Sequence, residues 1–253
     1  MRSTQEPADS GAAIAVIPAR YGSTRIPGKP LAEIGGRPMI ERVLERAQQA
    51  RLVSRVIVAT DDERIARAVG DHGEVAMTRD DHESGSDRVA EVARTIDCDI
   101  VVNIQGDLPL LEPTIVDALV ETLRNDPTLG MATVAVPIRT PEEMNDPSIV
   151  KLVCDHNGRA LYFSRAPIPY DRDDPSLFDH AWHHVGVYAY RKNVLLKFAA
   201  LPQTTLEKVE KLEQLRALEN GIGIGVVRRD DAAPIEVDTP DDLAHARRAL
   251  GDR

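Results

Sequence analysis

Two aspartates and one basic, glycine-rich segment are the residues of this chain whose types and spacing suit phosphate chemistry. The segment 16–36, VIPARYGSTRIPGKPLAEIGG, follows an apolar run and contains Arg20, Arg25 and Lys29. Glycine permits close approach of the backbone to a ligand, and the basic side chains supply positive charge. Asp107 follows the apolar run IVVNI and a glycine, and its carboxylate suits a hard cation such as Mg²⁺. The alternatives are a solvated basic loop and an aspartate that only caps a turn.

A second aspartate follows another short run near the C-terminus. Asp238 precedes Thr239 and Pro240, which suit the cap and the first turn of a helix. Because Thr239 can cap that helix without help, the carboxylate of Asp238 is available for another role. Parallel strands end at one edge of a sheet, so we expect Asp107 and Asp238 to meet there, close to Lys29.

The glycine spacing does not fit the common phosphate loops. A Walker loop reads G-x-x-x-x-G-K-[ST], whereas Gly22 and Gly28 are separated by five residues and Pro30 replaces the hydroxyl residue. Proline has no N–H to donate, and it disfavours helical angles at the preceding lysine. The dinucleotide pattern G-x-G-x-x-G is also absent. A P-loop nucleotidase and a nicotinamide-dependent dehydrogenase are therefore disfavoured.

The first half of the chain alternates β-branched runs with amphipathic segments. In the predicted helix 37–50, apolar residues recur at three- and four-residue spacing. This alternation predicts an α/β fold with a doubly wound, mostly parallel, Rossmann-like sheet, whose ligands lie beyond the carboxyl ends of the strands. The runs interpreted as strands are AIAVIPA (13–19), RVIVAT (55–60), EVAM (74–77), DIVVNIQ (99–105) and MATVAVPI (131–138).

The pattern changes at about residue 140. The run SIVKLVCDHNGRALYFS (148–164) reads as two strands around a tight turn, which predicts an inserted β-hairpin. A strand over 182–190, a long helix over 205–219, a strand near 222–228 and a final helix follow. We therefore predict a disordered tail over 1–12 and one domain over 13–253, with an inserted β element at about 140–200.

Composition excludes several classes of function. The 253 residues carry a formal net charge of −10, and only 4% are aromatic. Neither property favours nucleic acid as a partner. No apolar run approaches the roughly 20 residues needed to cross a bilayer, and the N-terminus lacks the apolar core of a signal peptide. We expect a cytoplasmic protein without a membrane partner. Cys98 and Cys154 lack metal-like spacing.

Three further motifs have both a structural and a functional interpretation. Ser86, in ESGSDR, is a plausible N-cap for a helix. His184 alternates with apolar strand residues and could be a packed core histidine. In the predicted helix 205–219, Glu213 and Arg216 project within the apolar arc of leucines and valine. Because burying an unpaired charge is costly, these two residues either pair with each other or face a polar ligand.

Several of these motifs, in order, resemble a known family. IPARYGSTRIPGKPL, TRDDHESGSDR, QGD, SRAPIP, HHVGVYAY, LEQLR and VDTP are similar to segments of the 3-deoxy-manno-octulosonate cytidylyltransferases, from about residue 13 to 250. This resemblance implies transfer of CMP from CTP to the anomeric hydroxyl of a 3-deoxy-2-ulosonic acid, with release of pyrophosphate. It also implies a homodimer assembled through the inserted β region, which would be a dimerisation element.

The resemblance assigns roles residue by residue. Arg20 and Lys29 would hold the CTP phosphates, and Asp107 and Asp238 would bind Mg²⁺; these four are the predicted catalytic residues. The predicted nucleotide-binding residues are Ala19, Arg20, Lys29, Thr78, Arg79, Ser84, Gly85 and Gln105. The predicted sugar-binding residues are Gln105, Arg165, His184, Tyr188, Glu213 and Gln214.

One residue departs from the family pattern. The family usually reads Gln-Gly-Asp-Glu-Pro, and this chain has Leu108 in place of the glutamate. A cytidylyltransferase for another acceptor therefore stays open, such as an 8-amino analogue, a sialic-type acid or an octulosonate of a secondary pathway. A binding module that holds CTP without turnover is the alternative from another class.

Overall fold

The computed structural model describes residues 12–22, 26–174, 180–230 and 236–251. Its strands follow the apolar runs of the sequence closely, because those runs can be buried on both faces of a sheet. In chain order they are β1 (Ala13–Ala19), β2 (Glu33–Ile34), β3 (Arg37–Pro38), β4 (Arg55–Thr60), β5 (Glu74–Met77), β6 (Ile100–Asn103), β7 (Met131–Pro137), β8 (Lys151–Cys154), β9 (Ala160–Ser164), β10 (Trp182–Arg191) and β11 (Ile224–Arg228).

The helices lie mostly between consecutive strands. They are α1 (Met39–Ala47), α2 (Glu63–Val69), α3 (Gly85–Thr95), α4 (Pro113–Asn125), α5 (Pro141–Asn145), α6 (Lys192–Ala199), α7 (Thr205–Glu210), α8 (Gln214–Glu219) and α9 (Pro240–Ala249). Two short 3₁₀ turns, Lys29–Leu31 and Gly70–His72, complete the elements.

The main sheet has the order β11-β7-β10-β6-β1-β4-β5. Along this path β10 alone is antiparallel to its neighbours, and the other strands run in one direction. The prediction of a mostly parallel, doubly wound sheet is therefore confirmed. The carboxyl ends of β1 and β6 lie side by side, so the residues that follow these strands share one edge.

The core has two layers, one on each face of the sheet. One layer contains the buried face of α1, where Met39, Ile40, Val43, Leu44 and Ala47 all lie as the apolar spacing predicts. The other layer includes the apolar face of α3 and the aromatic rings of α6 and β10. Both layers cover the strands that end at the shared edge, and they fix its position.

The predicted hairpin is present as β8 and β9, and it continues the main sheet because β8 pairs with β10. The strand predicted over 182–190 is β10, which lies between β6 and β7. Tyr188 pairs with Asn103, the last residue of β6, so the residues before Tyr188 extend past the carboxyl end of β6. The first half of β10 thereby reaches the shared edge.

The long helix predicted over 205–219 is wrong. The chain breaks at Lys211, which has a left-handed φ of 56°, and it forms the two short helices α7 and α8. Arg216 reaches back across the break to Glu207, with nitrogen–oxygen distances of 2.5 and 2.9 Å. The break rotates the α7 apolar residues away from the core, and Val209 is 74% exposed.

Most of the predicted tail over 1–12 lies outside the described residues, as does Arg25. Ala12 is described, and its carbonyl accepts a hydrogen bond from Asp99 N–H. Within the described part of the chain, no helix is both long enough and apolar enough to span a membrane. Cys98 is buried, Cys154 is half-buried, and both are free thiols.

Candidate active site

The side chains of Lys29, Asp107 and Asp238 meet at the carboxyl edge of the sheet. The Lys29 ammonium lies 2.7 Å from Asp107 Oδ2 and 3.0 Å from Asp238 Oδ1. Burial lowers the pKa of Lys29, but the charges of the two aspartates and the hydrogen bonds to them outweigh it, and the pKa lies above its usual value. The lysine is therefore cationic, and its single charge faces two carboxylates.

Backbone contacts hold these three residues together. Val237 N–H donates to the carbonyl of Asp107 at 2.9 Å, and Val237 O accepts from Lys29 Nζ at 3.1 Å. Gly106 lies against β1, where a Cβ atom would be 3.1 Å from Pro18 O. Because that distance is too short for most side chains, glycine lets the loop after β6 approach β1 and places Asp107 beside Lys29.

A cleft of about 670 Å³ opens beside the three residues. Its walls come from the ends of β1 and β6, the first turn of α3 and the segment before α9. The residues that line it are Pro18, Ala19, Arg20, Gly22, Lys29, Pro30, His82, Glu83, Ser84, Gly85, Arg88, Gln105, Gly106, Asp107 and Asp238.

The N-terminus of α3 forms one wall of this cleft. Ser84 caps the helix, accepting from Asp87 N–H while the Asp87 carboxylate accepts from Ser84 N–H. The expectation that Ser86 caps the helix is therefore wrong, because the cap lies two residues earlier. Ser86 instead donates to Glu213 Oε2 at 2.8 Å. A helix N-terminus that faces a cleft favours an anion.

His184 and Tyr188 lie on the part of β10 that reaches the shared edge. The His184 ring packs edge-on against Phe163 at 5.0 Å and beside Tyr188 at 5.3 Å. Burial lowers the pKa of His184 to about 3, so the imidazole is neutral. Burial also raises the pKa of the Tyr188 hydroxyl well above its usual value. Both side chains are therefore uncharged polar groups.

Glu213 and Gln214 stand at the start of α8. Burial raises the pKa of Glu213, and its hydrogen bond with Ser86 works in the opposite direction. The expected ion pair between Glu213 and Arg216 is present at 3.5 Å, and Arg216 also forms a closer pair with Glu207 at 2.5 Å. Gln214 is 6% exposed.

The donor set of Asp107 and Asp238 fits a hard cation, because both carboxylates lie within hydrogen-bond distance of the same nitrogen. No three His, Cys, Asp or Glu side chains of the described residues are grouped as metal ligands. Two protein carboxylates are typical for Mg²⁺, which takes its remaining ligands from water and phosphate oxygens.

Comparison with known proteins identifies the family. The cytidylyltransferase family profile matches residues 14–225. The 3-deoxy-manno-octulosonate cytidylyltransferase of Syntrophotalea carbinolica is 52% identical over 244 residues, covering 93% of this chain and 97% of that protein. The enzyme of the same name from Trichlorobacter lovleyi is 51% identical over 247 residues, covering 94% and 98%. The chain belongs to the 3-deoxy-manno-octulosonate cytidylyltransferase family.

Solved structures agree with this family. A CMP:2-keto-3-deoxy-manno-octonic acid synthetase complexed with CTP has a TM-score of 0.89 and 46% identity, with 94% of this chain and 98% of that chain covered. A cytidylyltransferase from Leptospira borgpetersenii has a TM-score of 0.60 at 18% identity, covering 93% and 84%. At that identity the second similarity supports the fold alone.

Eight of the residues predicted from the family pattern line one cleft. They are Ala19, Arg20, Lys29, Ser84, Gly85, Gln105, Asp107 and Asp238. Residues from five separate parts of the sequence thus come together, although what each one binds stays a prediction.

Seven predicted residues do not line this cleft. They are Thr78, Arg79, Arg165, His184, Tyr188, Glu213 and Gln214. Thr78 accepts a hydrogen bond from Arg88, which lines the cleft. Arg79 lines a neighbouring cavity of about 580 Å³, together with Glu213. Arg165 donates to the carbonyls of Glu210 and Pro147, each at 2.8 Å. The structure does not bring Arg165 into the cleft, and its contact with a sugar carboxylate stays a prediction.

Sequence reasoning missed two charged residues of the site. Arg88 is 4% exposed, lines the cleft and forms an ion pair with Asp61 at 3.1 Å. Its position among the apolar residues of α3 is a signal that could have found it. Glu236 lies beside Asp107 and Asp238, and the sequence gives no such signal because a glutamate in PIEVDTP reads as a solvated strand residue.

The family departure at Leu108 has a structural explanation. Leu108 is fully buried in the apolar core beneath the sheet edge. Leu108 is not among the residues that line the cleft, so the leucine adds no ligand there. Leu108 therefore gives no reason to favour another acceptor sugar.

Proposed function

We propose that this chain transfers CMP from CTP to the anomeric hydroxyl of 3-deoxy-D-manno-octulosonate, here called Kdo. The sugar oxygen forms a bond to the α-phosphorus, and the bond from that phosphorus to the pyrophosphate oxygen breaks. The hydroxyl proton passes to solvent. The proposal is supported by the family and, above all, by the convergence of Lys29, Asp107 and Asp238 in one cleft.

The residues of the cleft suit the charges of this reaction. Lys29 and Arg20 would offset negative charge on the departing pyrophosphate. The N-terminus of α3 would bind a phosphate or hydroxyl oxygen through its backbone N–H groups. On the acceptor side, the neutral His184 and Tyr188 would bind sugar hydroxyls. These groups position the reactants, and no covalent intermediate is required.

Asp107 and Asp238 would hold Mg²⁺ in the reacting complex. Bound there, Mg²⁺ would neutralise phosphate charge and lower the pKa of the sugar hydroxyl. Lys29 would leave the aspartates and turn to the phosphates when the cation enters. The dication would then replace the positive charge of Lys29 at the aspartates, and the triphosphate would supply negative charge for the lysine.

Pyrophosphate release from CTP and Kdo, with and without Mg²⁺, is the direct test. We expect release only when CTP, Kdo and Mg²⁺ are all present. Asp107→Asn should lower turnover by about 10²-fold or more, whereas Asp71→Asn, at an exposed turn, should not change it. Normal Mg²⁺-dependent turnover by Asp107→Asn would remove this residue from the metal site.

A panel of acceptors tests the sugar. Kdo should be used at a higher kcat/KM than an 8-amino analogue or a sialic-type acid. A preference for either of those acids would contradict the proposal for Kdo while leaving cytidylyl transfer intact. Binding of CTP without pyrophosphate release from any acceptor would instead indicate a binding module.

We also propose a cytoplasmic homodimer assembled through the hairpin. Among the described strands β9 pairs only with β8, and Leu161 on β9 is 60% exposed. An unpaired edge with an exposed apolar side chain suits contact with a second copy. Light scattering should give twice the chain mass, and Leu161→Glu should shift it toward the monomer. The cytoplasm is expected because CTP is available there, and cell fractionation tests this.

A further inference from the structure

Glu236 stands next to the residues that would bind metal and phosphate. It precedes Val237, which is fully buried and whose backbone contacts Asp107 and Lys29. The residues on either side of Val237 are accessible: Glu236 is exposed, and the Asp238 side chain is 37% exposed. The buried valine therefore anchors a segment that presents two carboxylates to the active-site side of the sheet edge.

A backbone hydrogen bond orients the Glu236 carboxylate. Its Oε1 accepts from Gly186 N–H at 3.0 Å. Gly186 lies where the pairing of β10 with β7 shifts between Val185 and Tyr188, so its N–H is turned out of the regular ladder. A Cβ atom on Gly186 would lie 3.1 Å from Glu236 Oε1. The absence of a side chain at 186 allows this close approach.

Backbone geometry places Glu236 between the two halves of the site. Glu236 lies two residues before Asp238, and it accepts from Gly186, which stands on β10 between His184 and Tyr188. A Cβ atom on Gly186 would also lie 3.9 Å from Gln105 Cγ. The carboxyl group thus adjoins both the segment that carries Asp238 and the proposed sugar strand.

Charge decides what such a group can bind. A carboxylate repels both the triphosphate and the carboxylate of an acceptor acid, so neither is its partner. A metal role is not required of it, since Asp107 and Asp238 already supply the two carboxylates that Mg²⁺ typically takes from a protein. Neutral hydroxyl groups donate hydrogen bonds that a carboxylate accepts strongly. Because Glu236 contacts β10 between His184 and Tyr188, the hydroxyl groups of the acceptor sugar are the ones expected beside it.

We propose that Glu236 is a specificity-determining residue that accepts hydrogen bonds from hydroxyl groups of the acceptor sugar, held in place by Gly186 N–H. This inference rests on the proposed function. The carboxylate is held against β10 between His184 and Tyr188, the residues that would bind the acceptor. An acceptor without the matching hydroxyl leaves this carboxylate unsatisfied and binds more weakly.

Glu236→Gln is the test, because the amide keeps the size of the side chain and loses its charge. We expect the KM for Kdo to rise about 10-fold or more, with the KM for CTP within about twofold of the wild-type value. Asp241→Asn is the matched control, since it removes an exposed negative charge from the nearby first turn of α9. It should change neither KM. Thermal unfolding and CTP titration would show that Glu236→Gln is folded.

Deoxy analogues of Kdo identify the partner hydroxyl. For one position among the 4-, 5-, 7- and 8-hydroxyls, deoxygenation should raise the KM for the wild-type enzyme and have little further effect on Glu236→Gln. Equal changes in both substrate KM values, or no change in the KM for Kdo, would overturn the inference while wild-type turnover of Kdo persists. Absence of wild-type turnover with Kdo and CTP would overturn the proposed function itself, and the acceptor role of Glu236 with it.

Discussion

At the scale of single residues, Lys29 occupies the place where a cation is expected. Its ammonium contacts Asp107 and Asp238 and donates to the carbonyl of Val237. A lysine in this position satisfies the two carboxylates before substrates arrive. In the proposed reaction it would compete with a dication for the same oxygen atoms, so we expect its removal to have opposite effects on metal binding and on turnover.

Lys29→Met tests this competition. Loss of the positive charge leaves two carboxylates facing each other, so the protein without nucleotide should bind Mn²⁺ at least about tenfold more tightly. Electron paramagnetic resonance of free Mn²⁺ measures this. Turnover should fall by about 10²-fold or more because no charge replaces the lysine at the phosphates. Lys197→Met, at an exposed position on α6, is the control. Unchanged or weaker Mn²⁺ binding would contradict the shared site.

Thr133 determines which ring nitrogen of the neutral His184 carries the proton. Its hydroxyl oxygen lies 2.9 Å from Val187 O, 3.3 Å from Val185 O and 3.0 Å from His184 Nε2. A carbonyl oxygen can only accept, so the one hydroxyl proton goes to a carbonyl and His184 Nε2–H donates to Thr133. The lone pair of the neutral ring is then on Nδ1, which can accept from a sugar hydroxyl.

Thr133→Val should disturb this tautomer. The valine removes the acceptor for Nε2–H and leaves a buried donor unsatisfied, at a cost of about 1–3 kcal/mol. We expect the ¹⁵N shifts of His184 to move toward the other tautomer in long-range ¹H–¹⁵N spectra, and the KM for Kdo to rise several-fold. Thr133→Ser keeps the hydroxyl and should retain both wild-type values. Unchanged ¹⁵N shifts in Thr133→Val would show that Thr133 does not set the tautomer.

At the scale of elements, the sequence predicts the strands and the helix α1 well because their burial follows directly from local spacing. It fails over 205–219, where every local signal favours a continuous helix. Glu207 and Arg216 are nine positions apart. They meet only because Lys211 adopts a left-handed φ, which ends α7 and redirects the chain. Local periodicity contains no information on that contact, which is formed by residues of two different helices.

The break predicts opposite effects of glycine at two nearby lysines. A side chain at a left-handed φ costs about 1–2 kcal/mol, so Lys211→Gly should raise the free energy of unfolding by up to about 1 kcal/mol after the entropy of glycine is included. Lys208→Gly, within α7, should lower it by about 1 kcal/mol. Urea denaturation measures both. Equal destabilisation by the two variants would indicate a helical Lys211.

At the scale of the whole molecule, the parallel sheet makes the site predictable in outline. Lys29 and Asp238 are 209 residues apart, yet both follow from the rule that ligands collect at the carboxyl ends of strands. The position of Glu236 does not follow from that rule. It depends on the irregular pairing of β10, which exposes Gly186 N–H, and pairing of distant strands is not encoded in local pattern.

Burial of the His184 side chain on β10 also couples the stability of the whole fold to pH. Its pKa is about 3 in the folded protein, compared with a usual value of 6.5. Above pH 6.5 the ring is neutral in both the folded and unfolded states, and no penalty arises. Below pH 6.5 the unfolded chain takes up a proton that the native ring does not, so the free energy of unfolding falls by about 1.4 kcal/mol per pH unit until pH approaches 3.

Urea denaturation at pH 7.5 and 5.0 isolates this contribution. His184 should account for about 2 kcal/mol of the loss of stability between these values, so His184→Gln should lose less stability on acidification than the wild-type protein by that amount. His156→Gln, in the exposed turn between β8 and β9, should match the wild-type protein. The neighbouring His183, whose pKa burial also lowers, contributes to all three proteins and cancels in the comparison. An equal loss for wild type and His184→Gln would mean that His184 is accessible to protons in the native protein, because only a ring that titrates equally in both states leaves the pH dependence unchanged.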